Sequence, residues 1–240
     1  MPSSVRTFLV RPSAFFEQRT DRLNGVRGAI VAAALSVSLT AVLAVSLRLF
    51  AQQFTGSTTV DNPDYPGEMF CDDGGVGGMT PSGCDEPPTV TREISALLWE
   101  VVVDFLPWVI VGLPLLWLLL AAGLHAGARL DGGTGRFGET MAVTAWGLVP
   151  LLVAATLSGA ALVVFATQAD LAGSSPEALL AEVRELQSGV FGLVFLALRL
   201  GGAAWQAAVW AGGLRVVHDL NRRSAAVIAV IVAGVSFLLS

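Results

Sequence analysis

The sequence predicts an all-α integral membrane bundle of five transmembrane helices, and three observations carry that expectation. Apolar residues fill 54% of the 240 positions and charged residues only 14%, against about 25% charged in an ordinary soluble domain. The mean hydropathy is correspondingly high, +0.68. The apolar residues are gathered into runs of about 20, the length at which a helix rising about 1.5 Å per residue crosses the hydrocarbon core. The 14 basic residues, all Arg and none Lys, are sorted between alternate loops. These features exclude a soluble enzyme, a disordered tail and a nucleic-acid binder with a broad basic face, so no nucleic-acid partner is expected.

Residues 1–27 form a basic segment holding Arg6, Arg11, Arg19, Arg22 and Arg27. It does not read as a cleaved signal peptide, because the apolar run after it is too long and no A-x-A site follows. Phe15, Phe16 and Leu23 with Arg19 and Arg22 point to a short helix lying on the inner membrane surface, opened by Pro12. The alternative is a disordered basic tail. Residues 28–240 then form the membrane domain, beginning with a retained anchor, span one, from Gly28 to Leu47. Gly28, Ala32, Ser36, Thr40 and Ala44 line one of its faces, a stripe that lets helix backbones approach closely in lipid.

The loop 51–93 has five Pro, seven Gly and eight carboxylates against the single Arg92. Such a composition cannot build its own core, and the loop is expected to be irregular and solvated. Cys71 and Cys84, the only cysteines, both fall here. On an oxidising outer face they form one disulfide, about 3 kcal/mol of local stabilisation in the chain-entropy model; two free thiols are the alternative. A bridge gathers Asp72, Asp73, Asp85 and Glu86, which reads as a hydrated acidic surface or as oxygen ligands for a hard cation.

Span two runs from Phe105 to Leu124, with Glu100 and Asp104 four residues apart on one face at its outer end. The turn after it reads G-T-G-R-F-G over residues 133–138, a literal dinucleotide fingerprint in the wrong context. It lies between two membrane helices, with no strand before it and no room for a βαβ unit, so a tight turn is expected. His125 and His218, the only histidines, sit at inner membrane boundaries and read as interfacial polar tips. Span three runs from Thr140 to Ala169. Pro107, Pro114 and Pro150 should bend spans two and three unless neighbours replace the lost hydrogen bonds. The following loop carries Ser174, Pro176 and Glu177 in capping-box spacing, and reads as an interfacial helix.

Span four, Gly189 to Leu214, is interrupted only by Arg199, near its middle, and carries Ala204, Ala208 and Gly212 as a small-residue stripe. An intramembrane Arg is expensive and often functional. It could pair with Asp104 about two turns above it, snorkel to outer water, or serve a transport path. Span five, Ser224 to Ser240, carries Ala225, Ala229 and Ala233 and is short enough to lie partly in the interface.

Ten Arg fall on one side of this arrangement, in residues 1–27 and the loops after spans two and four. The alternate loops contribute only Arg92 and Arg184, against twelve carboxylates over residues 51–93 and 169–188. The positive-inside rule places the N-terminus in the cytoplasm, the C-terminus outside and the protein in the cell membrane as a multi-pass chain. The composition fits a salt-adapted, high-GC prokaryote of haloarchaeal type.

Three segments resemble the Yip family, five-span membrane proteins named for binding Ypt/Rab GTPases. They are R-P-S-A-F-F at Arg11 to Phe16 (Arg11, Pro12, Phe15 and Phe16 carrying the match) and the stretch from Leu124 to Thr140, including Gly132, Gly133 and Phe137. The third is W-G-L-V-P at Trp146 to Pro150. The similarity extends over most of the chain from about residue 10 and implies the same topology, with no catalytic residues and no cofactor. Eukaryotic family members contact Rab-type GTPases through a longer acidic N-terminus with a tyrosine-containing motif. The short basic segment here puts GTPase binding in doubt. The expected function is non-enzymatic: organising membrane or partner proteins in the bilayer, with self-association allowed by the small-residue stripes. The alternative is a small transporter or permease component using the Arg199 region.

Overall fold

A computed structural model describes residues 4–71, 82–168, 184 and 189–238. Two short helices, α1 (Ser4–Val10) and α2 (Pro12–Glu17), and a 3-10 turn (Thr20–Arg22) precede the long helix α3 (Gly25–Ala51). Then come β1 (Ser57–Asp61), the single-turn α4 (Glu68–Cys71), β2 (Thr89–Glu93) and α5 (Ile94–Leu130). Helices α6 (Phe137–Trp146), α7 (Val149–Ala166), α8 (Val190–His218) and α9 (Arg222–Leu238) follow. Four segments are long and apolar enough to cross a membrane: Gly25–Ala51, Ile94–Leu130, Phe137–Ala166 and Val190–His218. Helix α9, with 17 residues, is about 26 Å long, somewhat short of a core about 30 Å thick.

Helix α6 is the axis of the bundle. It packs against α3, α5 and α8, while α7 continues the contact with α3 and α8, and α9 joins α5 to α8. Its Thr140, Val143, Thr144 and Ala145 are completely buried. On α3 the small-residue stripe faces this axis: Gly28, Ala32, Ser36 and Thr40 are buried. A Cβ on Gly28 would come within 2.8 Å of the Ala142 backbone nitrogen, so only glycine permits the α3–α6 approach. The Ser36 and Thr40 hydroxyls donate to the carbonyls of Ala32 and Ser36 at 2.8 and 2.9 Å, which satisfies them without any partner helix. On α9, Ala225, Ala229 and Ala233 are buried as expected. On α8 only Gly212 of the anticipated stripe faces inward; Ala204 and Ala208 are exposed.

Pro150 interrupts span three as expected: it lacks an amide hydrogen and its ring crowds the carbonyl four residues back, so α6 and α7 part at Gly147 and Leu148. Other expectations need correction. Helix α5 instead runs unbroken through Pro107 and Pro114. The aromatic residues of the N-terminal segment face the bundle. Phe8, Phe15, Phe16 and Leu23 are buried within the bundle's core, with the Phe15 ring 5.1 Å from that of Trp146. The loop 51–93 is not wholly irregular: β1 and β2 pair antiparallel from Ser57↔Glu93 to Asp61↔Thr89. The β-branched residues of S-T-T-V-D and T-V-T-R-E suit that ribbon, and Asn62 ties its end by donating from Nδ2 to the Pro87 carbonyl at 2.8 Å. The expected helix around Ser174, Pro176 and Glu177, and the acids Asp72 and Asp73, lie outside the described residues.

Candidate functional site

The Arg-bearing ends of the helices meet at one end of the bundle, where the α5–α6 turn is stitched to the α8–α9 turn. The Thr140 hydroxyl, on α6, lies 3.1 Å from His125 Nδ1 on α5 and 2.8 Å from His218 Nε2 on α8. One hydroxyl therefore bridges two imidazoles from different helices. It can donate to only one acceptor at a time, so the two rings must present opposite roles or share it with the Arg136 carbonyl, 3.4 Å away. The two rings lie 5.2 Å apart, and Phe137 meets His125 edge-on at 5.3 Å. His218 is 1% exposed, and its Nδ1 has no hydrogen-bond partner. His218 is thus a buried junction and not an interfacial tip.

The G-T-G-R-F-G segment is the turn that closes over this junction. Gly132, with φ of 83°, reverses the chain after α5, a conformation that favours glycine. Gly133 packs so closely that an added Cβ would lie 2.9 Å from His218 Cβ and 2.8 Å from the Ala128 carbonyl. Arg129 donates from Nη1 to the Gly133 carbonyl at 3.0 Å, and the Thr134 amide donates to the His218 carbonyl at 3.3 Å. Glu139 accepts from the Arg136 amide at 2.8 Å and starts α6. Asp219, left-handed with φ of 54°, ends α8. Two tryptophans brace α6 from either side: Trp117 donates to the Met141 carbonyl at 3.1 Å and Trp210 to the Thr144 carbonyl at 3.3 Å.

The three motif segments noted in the sequence converge on this end. Pro12 opens α2 and seats it on α8 at Gly212, where an added Cβ would lie 3.1 Å from Pro12. The Arg11 carbonyl accepts the Phe15 amide at 3.1 Å. Phe15 and Phe16 fill the space against the Trp146 end of α6, and buried Pro150 starts α7 just beyond. Sequence spacing alone could not find the His125–Thr140–His218 contact, whose latter two residues are 78 positions apart. The available signal was that both histidines sat at equivalent helix ends.

The polar residues singled out at the opposite end do not converge. Glu100 pairs with Arg92 of β2, one of the two contacts being 3.0 Å; its carboxylate holds the Arg92 guanidinium above the ordinary range, through hydrogen bonding first and charge second. Arg199 donates from Nη2 to the Phe237 carbonyl at 2.9 Å and lies 4.6 Å from that ring's centroid. It makes no ion pair with Asp104 among the described residues. Helices α5 and α8 meet through the His125 and His218 rings, while the main neighbours of α5 are α3, α6 and α9 and those of α8 are α2, α6, α7 and α9. Arg199 stands 19 residues from the His218 end of a 29-residue helix, about 28 Å along it and so toward its far end. There it serves the last turn of α9, whose carbonyls lack helical partners and attract positive charge. Arg48, in the last turn of α3, was not singled out from sequence; it stacks 4.8 Å from the Trp99 ring centroid. Cys71 and Cys84 are joined in a disulfide with Cα atoms 5.4 Å apart.

Among the described residues no group of three or more His, Cys, Asp or Glu side chains converges as a metal site would. What the Arg-bearing end can do is hold its helices and their turns in one fixed arrangement and present cationic side chains from it. No curated protein and no solved structure matches the chain. The Yip1 domain family model matches residues 6–240, nearly the whole sequence and all three converging motifs. The chain belongs to the Yip1 domain family.

Proposed function

We propose that the protein is a non-enzymatic scaffold of the cell membrane that organises membrane or partner proteins through its Arg-bearing end. In this reading α9 is the fifth span, the N-terminus is cytoplasmic and the C-terminus is outside, in keeping with the Arg asymmetry. One observation supports it most. The basic N-terminal segment is anchored by Phe8, Phe15 and Phe16 in the bundle core, so its arginines are held in place relative to those of the inter-helix turns. A fixed cationic surface favours specific docking over diffuse attraction, because the partner's groups meet pre-placed charges.

Site-specific photocrosslinking in native membranes tests this. Crosslinkers at exposed Arg11 and Arg136 should yield reproducible adducts with membrane proteins or with a second copy, whereas one at exposed Val101, in the first half of α5, should yield none of these. Adducts equally frequent at both ends overturn the reading. So does solute flux in proteoliposomes that is abolished by Arg199→Ala, which is the result expected of a transporter.

A further inference from the structure

Three arginines line one opening beside the first turn of α3. Arg19, Arg22 and Arg27 line a cavity of about 280 Å³, whose apolar walls include Ile30, Val31 and Trp146. The three charges are not neutralised by protein. Among the described residues the only ion pair is Arg92–Glu100, at the far end of the molecule, so neither Glu17 nor Asp21, the nearest acids in sequence, pairs with them. Two of them are held in place. Arg19 is held by its Nη1 bond to the Phe15 carbonyl at 3.1 Å and by stacking 4.0 Å over the Phe15 ring. Arg27 Nη1 donates to the Arg22 carbonyl at 3.3 Å. Asn24 caps α3 by accepting the Arg27 amide at 3.0 Å, and the positive end of a 27-residue helix adds to the same field.

Position identifies the anion. Helix α3 is long and apolar enough to cross a membrane, so its first turn stands where lipid headgroups lie. Ile30, one turn deeper, is 63% exposed and continues the cavity wall toward the hydrocarbon. A cationic mouth above an apolar wall has the polarity of a phospholipid. Guanidinium groups match phosphate oxygens in geometry as well as charge. We propose that this cavity binds the phosphate headgroup of an anionic phospholipid, with an acyl chain lying along Ile30 and Val31. Lipid binding here does not depend on the scaffold reading, since it requires only that α3 enters a bilayer.

The test uses the full-length protein in detergent, titrated separately with phosphatidylglycerol, phosphatidylcholine and inorganic phosphate. Native mass spectrometry reads retained lipid and thermal unfolding reads stabilisation. Phosphatidylglycerol should be retained and should raise Tm, whereas phosphatidylcholine and inorganic phosphate should do neither. The triple variant R19Q/R22Q/R27Q should weaken phosphatidylglycerol binding about a hundredfold, at about fivefold per Arg near a membrane surface. Removing three other charges from the same end, R215Q/R222Q/R223Q, should change it less than twofold. If the first triple variant fails to fold, exposed Arg22→Gln alone should still weaken binding about fivefold. The proposal is overturned if both triple variants weaken binding equally, if Arg22→Gln leaves affinity unchanged in a folded protein, or if inorganic phosphate stabilises as well as the lipid.

Discussion

The two ends of this bundle are built on different physics. At the Arg-bearing end Phe16, Leu124, Val143, Trp210 and Leu214 are fully buried, and Gly147 lies so close to the Trp210 indole that no side chain fits between them. At the disulfide end the buried cluster is small, Phe54 and Ala166 with Phe50, Ile94 and Leu98 beside them. Above it α5 turns Val101, Phe105 and Trp108 outward, the last 73% exposed. In lipid, apolar surface gains little by leaving hydrocarbon for protein, so helices associate through close packing and hydrogen bonds. One end has both, through small residues on α3 and α9 and the Thr140 bridge. The other is closed by a covalent bond, a two-stranded ribbon and exposed side-chain pairs. Tight packing at one end fixes the helix order, while loose packing at the other leaves faces for lipid.

Breaking the packed end should cost most. Trp210→Ala is expected to destabilise by about 4 kcal/mol through lost contacts and a residual cavity, read as a large fall in Tm in detergent. Trp108→Ala, in the exposed face, should change stability by less than about 0.5 kcal/mol; similar losses for the two would abolish the contrast. Next is Cys71→Ser with Cys84→Ser, which should release about 3 kcal/mol of chain constraint. Hydrogen exchange should then rise in residues 57–61 and 89–93 and stay unchanged at the Arg-bearing end. Thr140→Val should cost about 2 kcal/mol by leaving both imidazole nitrogens without their shared hydroxyl, and Thr140→Ser should restore most of it. Smallest is Glu100→Gln, since an exposed pair with Arg92 contributes at most about 1 kcal/mol. A Tm shift as large as that of Thr140→Val would mean the ribbon is held more firmly than its exposure implies.

Much of the architecture was legible because it depends on local content. Two cysteines in one Gly-rich loop had one possible intrachain partner each, and Pro12 opens α2 as its fixed φ suits. The Gly-rich match at 133–138 could be rejected as a nucleotide site from its flanking helices, and it is a turn. The misreadings had one shared cause, an assumed neighbour. Arg199 was matched to Asp104 as though spans two and four touched there, whereas their contact is at the His125–His218 end. The N-terminal aromatics were assigned to lipid because nothing in the sequence shows that α8 offers Gly212 as a seat for Pro12.

The sequence by itself determined the membrane class, four segments that are long and apolar enough to cross a membrane, the disulfide and the gathering of arginines in alternate inter-helix segments, because hydrophobic length and charge placement act along the chain. Only the tertiary structure decided that α6 is the axis, that His125, Thr140 and His218 form one junction, and that three N-terminal arginines enclose a cavity. Those outcomes follow from which helices are adjacent, and adjacency in lipid is decided by shape and hydrogen bonding between surfaces that composition leaves nearly alike.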